Sequence, residues 1–116
     1  MNNYRSGHWA EFLALAYLRL HGWRKVAANY VTGRGTGAGE IDLIVTRGHT
    51  LVFVEVKKRS SLENAAYAIE PRQQARIRRA AEAFLASHSQ YAGFDVRFDA
   101  VLVKLPLHIS HIVDAF

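Results

Sequence analysis

The segment Leu51-Val52-Phe53-Val54-Glu55-Val56-Lys57 constrains the fold of this chain more than any other. Successive side chains of a strand point to opposite faces, so Val52, Val54 and Val56 line one face. Leu51, Phe53, Glu55 and Lys57 line the other. Both faces begin apolar, the pattern of a central strand covered on each side. A carboxylate and an ammonium two residues apart on such a strand are costly to bury unless something compensates. The preceding strand repeats the problem, because Glu40 and Asp42 share a face with Ile44.

These strands, Glu40 to Thr46 and Thr50 to Lys58, flank a turn holding Arg47-Gly48-His49. A connection of two or four residues puts Asp42 on the same face as Glu55. With four residues, Arg47 to Thr50, the two lie directly opposite; with two they are diagonal. A three-residue connection separates them onto opposite faces unless a bulge corrects the register. Facing carboxylates repel unless a proton or a cation sits between them. The chain has no cysteine, which excludes disulfides and thiolate metal sites. Oxygen donors call for a hard cation, Mg²⁺ or Mn²⁺. Such an ion polarises a phosphoryl oxygen, and Lys57 beside it could orient or deprotonate water and offset phosphate charge. Spacing alone leaves a second reading open, a sheet end at which Lys57 simply neutralises Glu55.

The rest of the chain supplies the frame. A first helix is expected from about Ser6 to His21, ended by Gly22. Trp9, Phe12, Leu13, Ala16, Tyr17 and Leu20 form one apolar stripe on it. Glu11, Ala14, Leu15 and Leu18 form a second, which predicts a helix covered on two sides, with Trp9, Tyr17 and Trp23 in the core. Lys25 to Val31 reads as a strand and Gly33 to Gly39 as a flexible connection. Pro71 opens a helix running to about Ser87. Phe94 to Lys104 is a strand broken by Pro106, and His108 to Val113 adds a short edge strand. The order α-β-β-β-α-β, with a final β, predicts an α/β fold: a mixed central sheet flanked by helices. The length of 116 residues suits one domain.

Composition narrows the partner. Half the residues are hydrophobic and 22% charged, ordinary for a soluble globular protein. The net charge of +5 favours polyanions, nucleic acid first and anionic membrane second. A solvated basic surface is the plainer alternative. No apolar signal core and no run of ~20 apolar residues is present, so a cytoplasmic protein without a membrane span is expected. Arg72, Arg76 and Arg79, with Arg78 nearby, lie along one face of the second helix and could track a nucleic-acid backbone; a solvated face reads equally well. Gly33 to Ala38 fits G-x-G-x-x-A but runs into a strand, which rejects a dinucleotide site. Arg34 in that loop could instead contact a phosphate backbone, the alternative being a plain loop. The six histidines show no ligand spacing.

Gly39-Glu40-Ile41-Asp42-Leu43-Ile44, followed by Phe53-Val54-Glu55-Val56-Lys57, closely resembles the uncharacterised bacterial YraN-like family. That family belongs to the restriction-endonuclease-like, or PD-(D/E)xK, nuclease superfamily and is similar to archaeal Holliday junction resolvases. The resemblance runs from Gly7 to about Val103 and includes Glu11, Asn29, Arg59 and Arg97-Phe98-Asp99. It implies that Asp42 and Glu55 are metal ligands, Lys57 the catalytic lysine and Glu11 an accessory carboxylate from the first helix. Arg34, Arg59, Arg72, Gln73 and Arg76 become the expected nucleic-acid contacts. Two positions depart from the pattern. Ile41 stands where the superfamily name has proline, and Gln73 where the YraN-like pattern more often has lysine. Gln73 shares a face with Ile77, Ala80 and Phe84 and should point toward the sheet, to a phosphate or a water of the metal shell. Losing a cation there weighs against strong phosphate binding.

The resemblance implies a Mg²⁺- or Mn²⁺-dependent phosphodiesterase acting on nucleic acid, DNA first. A nucleic-acid-binding module with this fold and little cleavage is the alternative, and a purely structural domain a third. Resolvase-like relatives act as dimers, which leaves a homodimer open; no decisive dimer surface stands out, although exposed apolar residues of the last strand could supply one.

Overall fold

The computed structural model describes residues 3–31, 39–58, 69–104 and 108–116, with side chains from residue 8 onward. Helix α1 (Asn3–Leu20) leads into strands β1 (Arg24–Val31), β2 (Glu40–Arg47) and β3 (Thr50–Lys58). Helix α2 (Pro71–Ser87) and a 3₁₀ turn (Ser89–Tyr91) precede β4 (Asp95–Lys104) and β5 (His108–Ile112). The five strands lie in sequence order in one sheet. β3 and β4 are parallel, and every other neighbouring pair is antiparallel. Parallel neighbours need a crossover, which α2 supplies.

The two helices cover opposite faces of the sheet. On one face Ala10, Ala14 and Leu18 of α1 pack on Leu43, Val45, Val52, Val54, Val101 and Val103. On the other, Ile77, Ala80, Ala81 and Phe84 of α2 pack on Ile41, Ile44, Leu51 and Phe53. β3 is therefore buried on both sides, as its double apolar pattern predicts. Pro71 stands in the first turn of α2, where its missing N–H has no intrahelical partner to lose.

Helix α1 departs from expectation. Its Ala10/Ala14/Leu18 side is buried, but Trp9, Phe12 and Leu20 are 45%, 69% and 86% exposed. The sheet offers a helix one surface, so of that stripe Leu13 and Tyr17 pack against the core while Trp9, Phe12 and Leu20 lie outside it. Trp23 is buried as expected, Tyr17 is half-buried, and Trp9 is not a core residue. The helix ends in a Schellman motif. Gly22, at φ 88°, donates its N–H to Arg19 O at 3.1 Å, and Trp23 N–H reaches Leu18 O at 3.0 Å.

The β2–β3 turn corrects the register argument. Arg47 pairs with Thr50, leaving the two-residue turn Gly48-His49 with Gly48 at φ 59°. The ladder runs to Leu43–Val54. Extending it by one residue sets Asp42 opposite Glu55, not diagonal to it. The tight turn and the four-residue connection share one register, because Arg47 and Thr50 face each other in both.

Arg97-Phe98-Asp99 is a structural block on β4. Asp99 is fully buried and takes two bonds from Arg97, at 2.9 and 2.8 Å. His111 Nε2 at 2.7 Å and Asp114 N–H at 2.9 Å complete its shell. These partners hold its carboxyl below the ordinary range against the opposing effect of burial. Phe98 stacks on Phe53 with ring centroids 5.5 Å apart.

Candidate metal centre

The site forms where the β2–β3 ladder opens. Past Leu43–Val54, Val56 N–H donates to Asp42 Oδ2 at 2.8 Å, so a side-chain carboxylate holds a strand N–H there. Asn29 stands across from Asp42 on β1, between the pairs Ala28–Leu43 and Tyr30–Ile41. Its φ of 52° is left-handed, a conformation asparagine tolerates better than most residues. Face alternation slips at this point on both strands. Ala28 and Leu43 pack under α1, whereas Tyr30 and Ile41 pack under α2. The slip revises the simple face assignment around Ile44 and leaves Asp42 at a break in the sheet.

Glu55, 4% exposed, is the deepest acid of the site. Its carboxyl is pushed up to about 8, first by burial, then by a hydrogen bond with Asp42 and by the Asp42 charge. Lys57 pulls in the opposite direction, with Nζ 3.2 Å from Glu55 Oε2. Gln73 of α2 joins the two. Its amide nitrogen donates to Glu55 Oε2, and its carbonyl oxygen accepts from Lys57 Nζ at 3.1 Å. The expectation that Gln73 faces the sheet near the start of α2 holds, but its described partners are Glu55 and Lys57. Glu11 enters from α1. Burial raises its pKa and the Asp42 charge adds to this, while His8 and a hydrogen bond with Asn29 act the other way.

Glu11, Asp42, Glu55, Lys57, Gln73 and Arg76 all line one cleft of about 320 Å³, together with Gly39, Glu40 and Lys58. The stripe of arginines on α2 is thus divided. Arg76 borders the cleft, Arg78 lies over the Phe98 ring at 4.7 Å, and Arg72 is exposed outside it. Arg34 and Arg59 lie outside the described residues. Gly39 and Asn29 escaped the reading of site residues from sequence. Gly39 N–H donates to Arg76 O at 3.1 Å, and a Cβ on Gly39 would meet Arg76 Cβ at 3.0 Å. Its glycine lets β2 start against α2. Asn29 was signalled only by its place in the YraN-like resemblance and as a polar residue among the apolar residues of its strand.

The donor set fits a hard divalent cation in chemistry. Asp42 and Glu55 present oxygens, and a buried acid that keeps its proton beside a second carboxylate marks a place where a cation can replace that proton. Among the described residues no three acidic, histidine or cysteine side chains form a ready ligand cluster. An ion placed there would take the Asp42–Glu55 pair as the protein's share of its ligands, the rest being water or substrate.

Comparison with known proteins agrees with this architecture. The sequence profile of the uncharacterised protein family UPF0102 matches residues 10–103. A UPF0102 protein of Paramagnetospirillum magneticum is 49% identical over 108 residues, covering 90% of this chain and 84% of that one. One of Bradyrhizobium diazoefficiens is 46% identical over 115 residues, covering 97% and 84%. Among solved structures, Archaeoglobus fulgidus Hjc, a Holliday junction resolvase, is similar at TM-score 0.52 and 16% identity, over 89% of this chain and 72% of that one. At that identity the likeness concerns the fold, a mixed sheet flanked by helices. With the profile spanning most of its length and relatives near half identical, this chain belongs to the UPF0102 family, the YraN-like group that its Gly39–Ile44 and Phe53–Lys57 blocks resemble.

Proposed function

We propose that the chain is a Mg²⁺- or Mn²⁺-dependent phosphodiesterase acting on nucleic acid, DNA first. The observation that carries this reading is the convergence of Asp42, buried Glu55 and Lys57 on one cleft bordered by Arg76. When bound, the ion supplies charge neutralisation and Lewis acidity. Asp42 and Glu55 hold it from adjacent strands. Lys57 orients the attacking water or takes its proton, and its charge offsets that of the phosphate. Arg76 at the rim is placed to hold a neighbouring phosphate. Glu11 acts as an accessory carboxylate from α1.

The test is incubation with duplex, single-stranded and branched DNA, with and without Mg²⁺ or Mn²⁺, beside Asp42→Asn and Lys57→Ala. The branched substrate is included because the fold neighbour is a Holliday junction resolvase. Metal-dependent cleavage lost in both variants supports the enzyme. A second reading is favoured by one feature: the Gln73 carbonyl occupies Lys57, which suits a module that binds nucleic acid without cutting it. Salt-sensitive binding that leaves DNA intact supports that reading.

Cutting a four-way junction at two symmetric places needs two copies of the site, so a homodimer belongs to the enzymatic reading. Its apolar surface would be the outer side of α1, where Phe12 and Leu20 are exposed, in preference to β5, whose isoleucines are half-buried. No described helix is long and apolar enough to cross a membrane.

A further inference from the structure

At the end of the sheet away from Asp42 and Glu55, cations gather around Trp23. β1 begins there at Arg24 and β2 ends there at Arg47. The Schellman turn builds the place. It sends Trp23 into the core, leaves Arg19 on the last turn of α1, and starts β1 with Arg24 and Lys25. Arg19, Gly22, Trp23, Arg24 and Lys25 line an open cleft of about 480 Å³. The Arg47 guanidinium lies 4.2 Å from the Trp23 ring centroid, and Nη1 donates to His21 O at 2.8 Å. Arg97 lies over the same ring at 5.2 Å. A guanidinium laid on a buried indole and tied to a carbonyl is held in one place, with its other N–H groups pre-oriented.

Little negative charge answers these cations. Between Glu11 and Glu40 the sequence contains no aspartate or glutamate. Asp99 pairs with Arg97, on which the Asp114 charge also acts, and Asp95 opens β4 beside Thr50 at this end of the sheet. Among the described residues no carboxylate lies within 4.0 Å of the charged groups of Arg19, Arg24, Lys25 or Arg47. The negative end of the α1 dipole accounts for cations at Arg19 and Arg47. It does not account for Arg24 and Lys25, which are exposed at the start of β1.

We propose that this cleft is a second nucleic-acid contact, taking the phosphodiester backbone of a segment outside the one held at Asp42 and Glu55. The proposal rests on the nucleic-acid reading above and does not need cleavage. Trp23 is buried beneath its arginines, so bases have no ring to stack on and the contact is independent of sequence. Four to five residues of β2 separate the two places, about 15 Å. That is about four to five base-pair rises along the axis of a duplex.

The test is fluorescence anisotropy with a labelled duplex of about 30 base pairs. Chelator is present to keep the DNA intact, and salt runs from about 50 to about 200 mM. Arg24→Ala/Lys25→Ala is compared with the unaltered protein. The double variant should bind about ten-fold more weakly, with a salt slope shallower by about two. In a Trp9→Phe background Trp23 is the sole tryptophan, and its emission should change on adding duplex. An unaltered slope and affinity in the double variant overturn the proposal, as does a protein that binds no duplex. Silent Trp23 emission also counts against it. If no DNA is cut with metal present but the slopes differ as stated, the phosphodiesterase reading fails and the second contact stands.

Discussion

Gln73 satisfies two ionisable neighbours at once without adding a charge. Its amide nitrogen donates to Glu55 and its carbonyl accepts from Lys57. Gln73→Ala leaves a buried carboxyl short of a donor, which should cost about 1–3 kcal/mol and lower the urea midpoint of the metal-free protein. Gln73→Lys restores the residue more usual in the YraN-like pattern. It should steepen the salt dependence of DNA binding by about one phosphate contact, read from anisotropy. The orientation of Gln73 was legible from its helical spacing with Ile77 and Phe84. Its partners were not, because a sequence shows what a side chain can bond and not which group reaches it first. Asp99 makes the same point on β4, where the Arg97-Phe98-Asp99 match gave no hint of His111. Asp99→Asn should destabilise by about 3 kcal/mol. Because its folded pKa is lowered, its contribution is complete above the ordinary carboxylate range and disappears as pH falls through the folded value. The variant should therefore show a flatter acid limb in a plot of melting temperature against pH.

Elements were legible where two faces constrain them and less so where one face does. β3 could be identified as central because both of its faces begin apolar, and it is buried under both helices. The β2–β3 register was legible only to parity. A two-residue turn brings Asp42 opposite Glu55, since Arg47 and Thr50 pair instead of joining the loop. The outer stripe of α1 misled, because an apolar pattern states what could be covered and not whether anything covers it. Trp9, Phe12 and Leu20 face outward. Gly39 belongs to this scale too, for it sets how closely β2 approaches α2. Gly39→Ala places a Cβ 3.0 Å from Arg76 Cβ and should cost about 1–3 kcal/mol as an overpacked contact. The displaced start of β2 should also weaken Mn²⁺ binding by calorimetry, whereas Gly48→Ala, remote from the cleft, should leave Mn²⁺ affinity unchanged.

At the scale of the molecule, the acidic centre ties stability to pH and, on the proposed function, to metal. Glu55 titrates at about 8 in the fold against 4.5 as an ordinary glutamate. Between those values the folded chain keeps a proton that the unfolded chain has lost. For this group, stability is complete below the ordinary value and falls as pH rises toward the folded one, by up to about 1.4 kcal/mol per pH unit. Raised Glu11 acts in the same direction. In chelator, the melting temperature should decline from about pH 5 to about pH 8 more steeply than in Glu55→Gln, which has no proton to lose. On the proposed metal site, a divalent ion should reverse the trend. It must displace the Glu55 proton to bind between Asp42 and Glu55, so its affinity should rise with pH over the same interval. The gain in stability from Mn²⁺, RT ln(1 + [L]/Kd), should then be larger near pH 8 than near pH 6 and absent in Asp42→Asn. A Mn²⁺ gain independent of pH, or one that survives Asp42→Asn, would place the ion elsewhere and leave the two carboxyls as a proton-sharing pair at a sheet end.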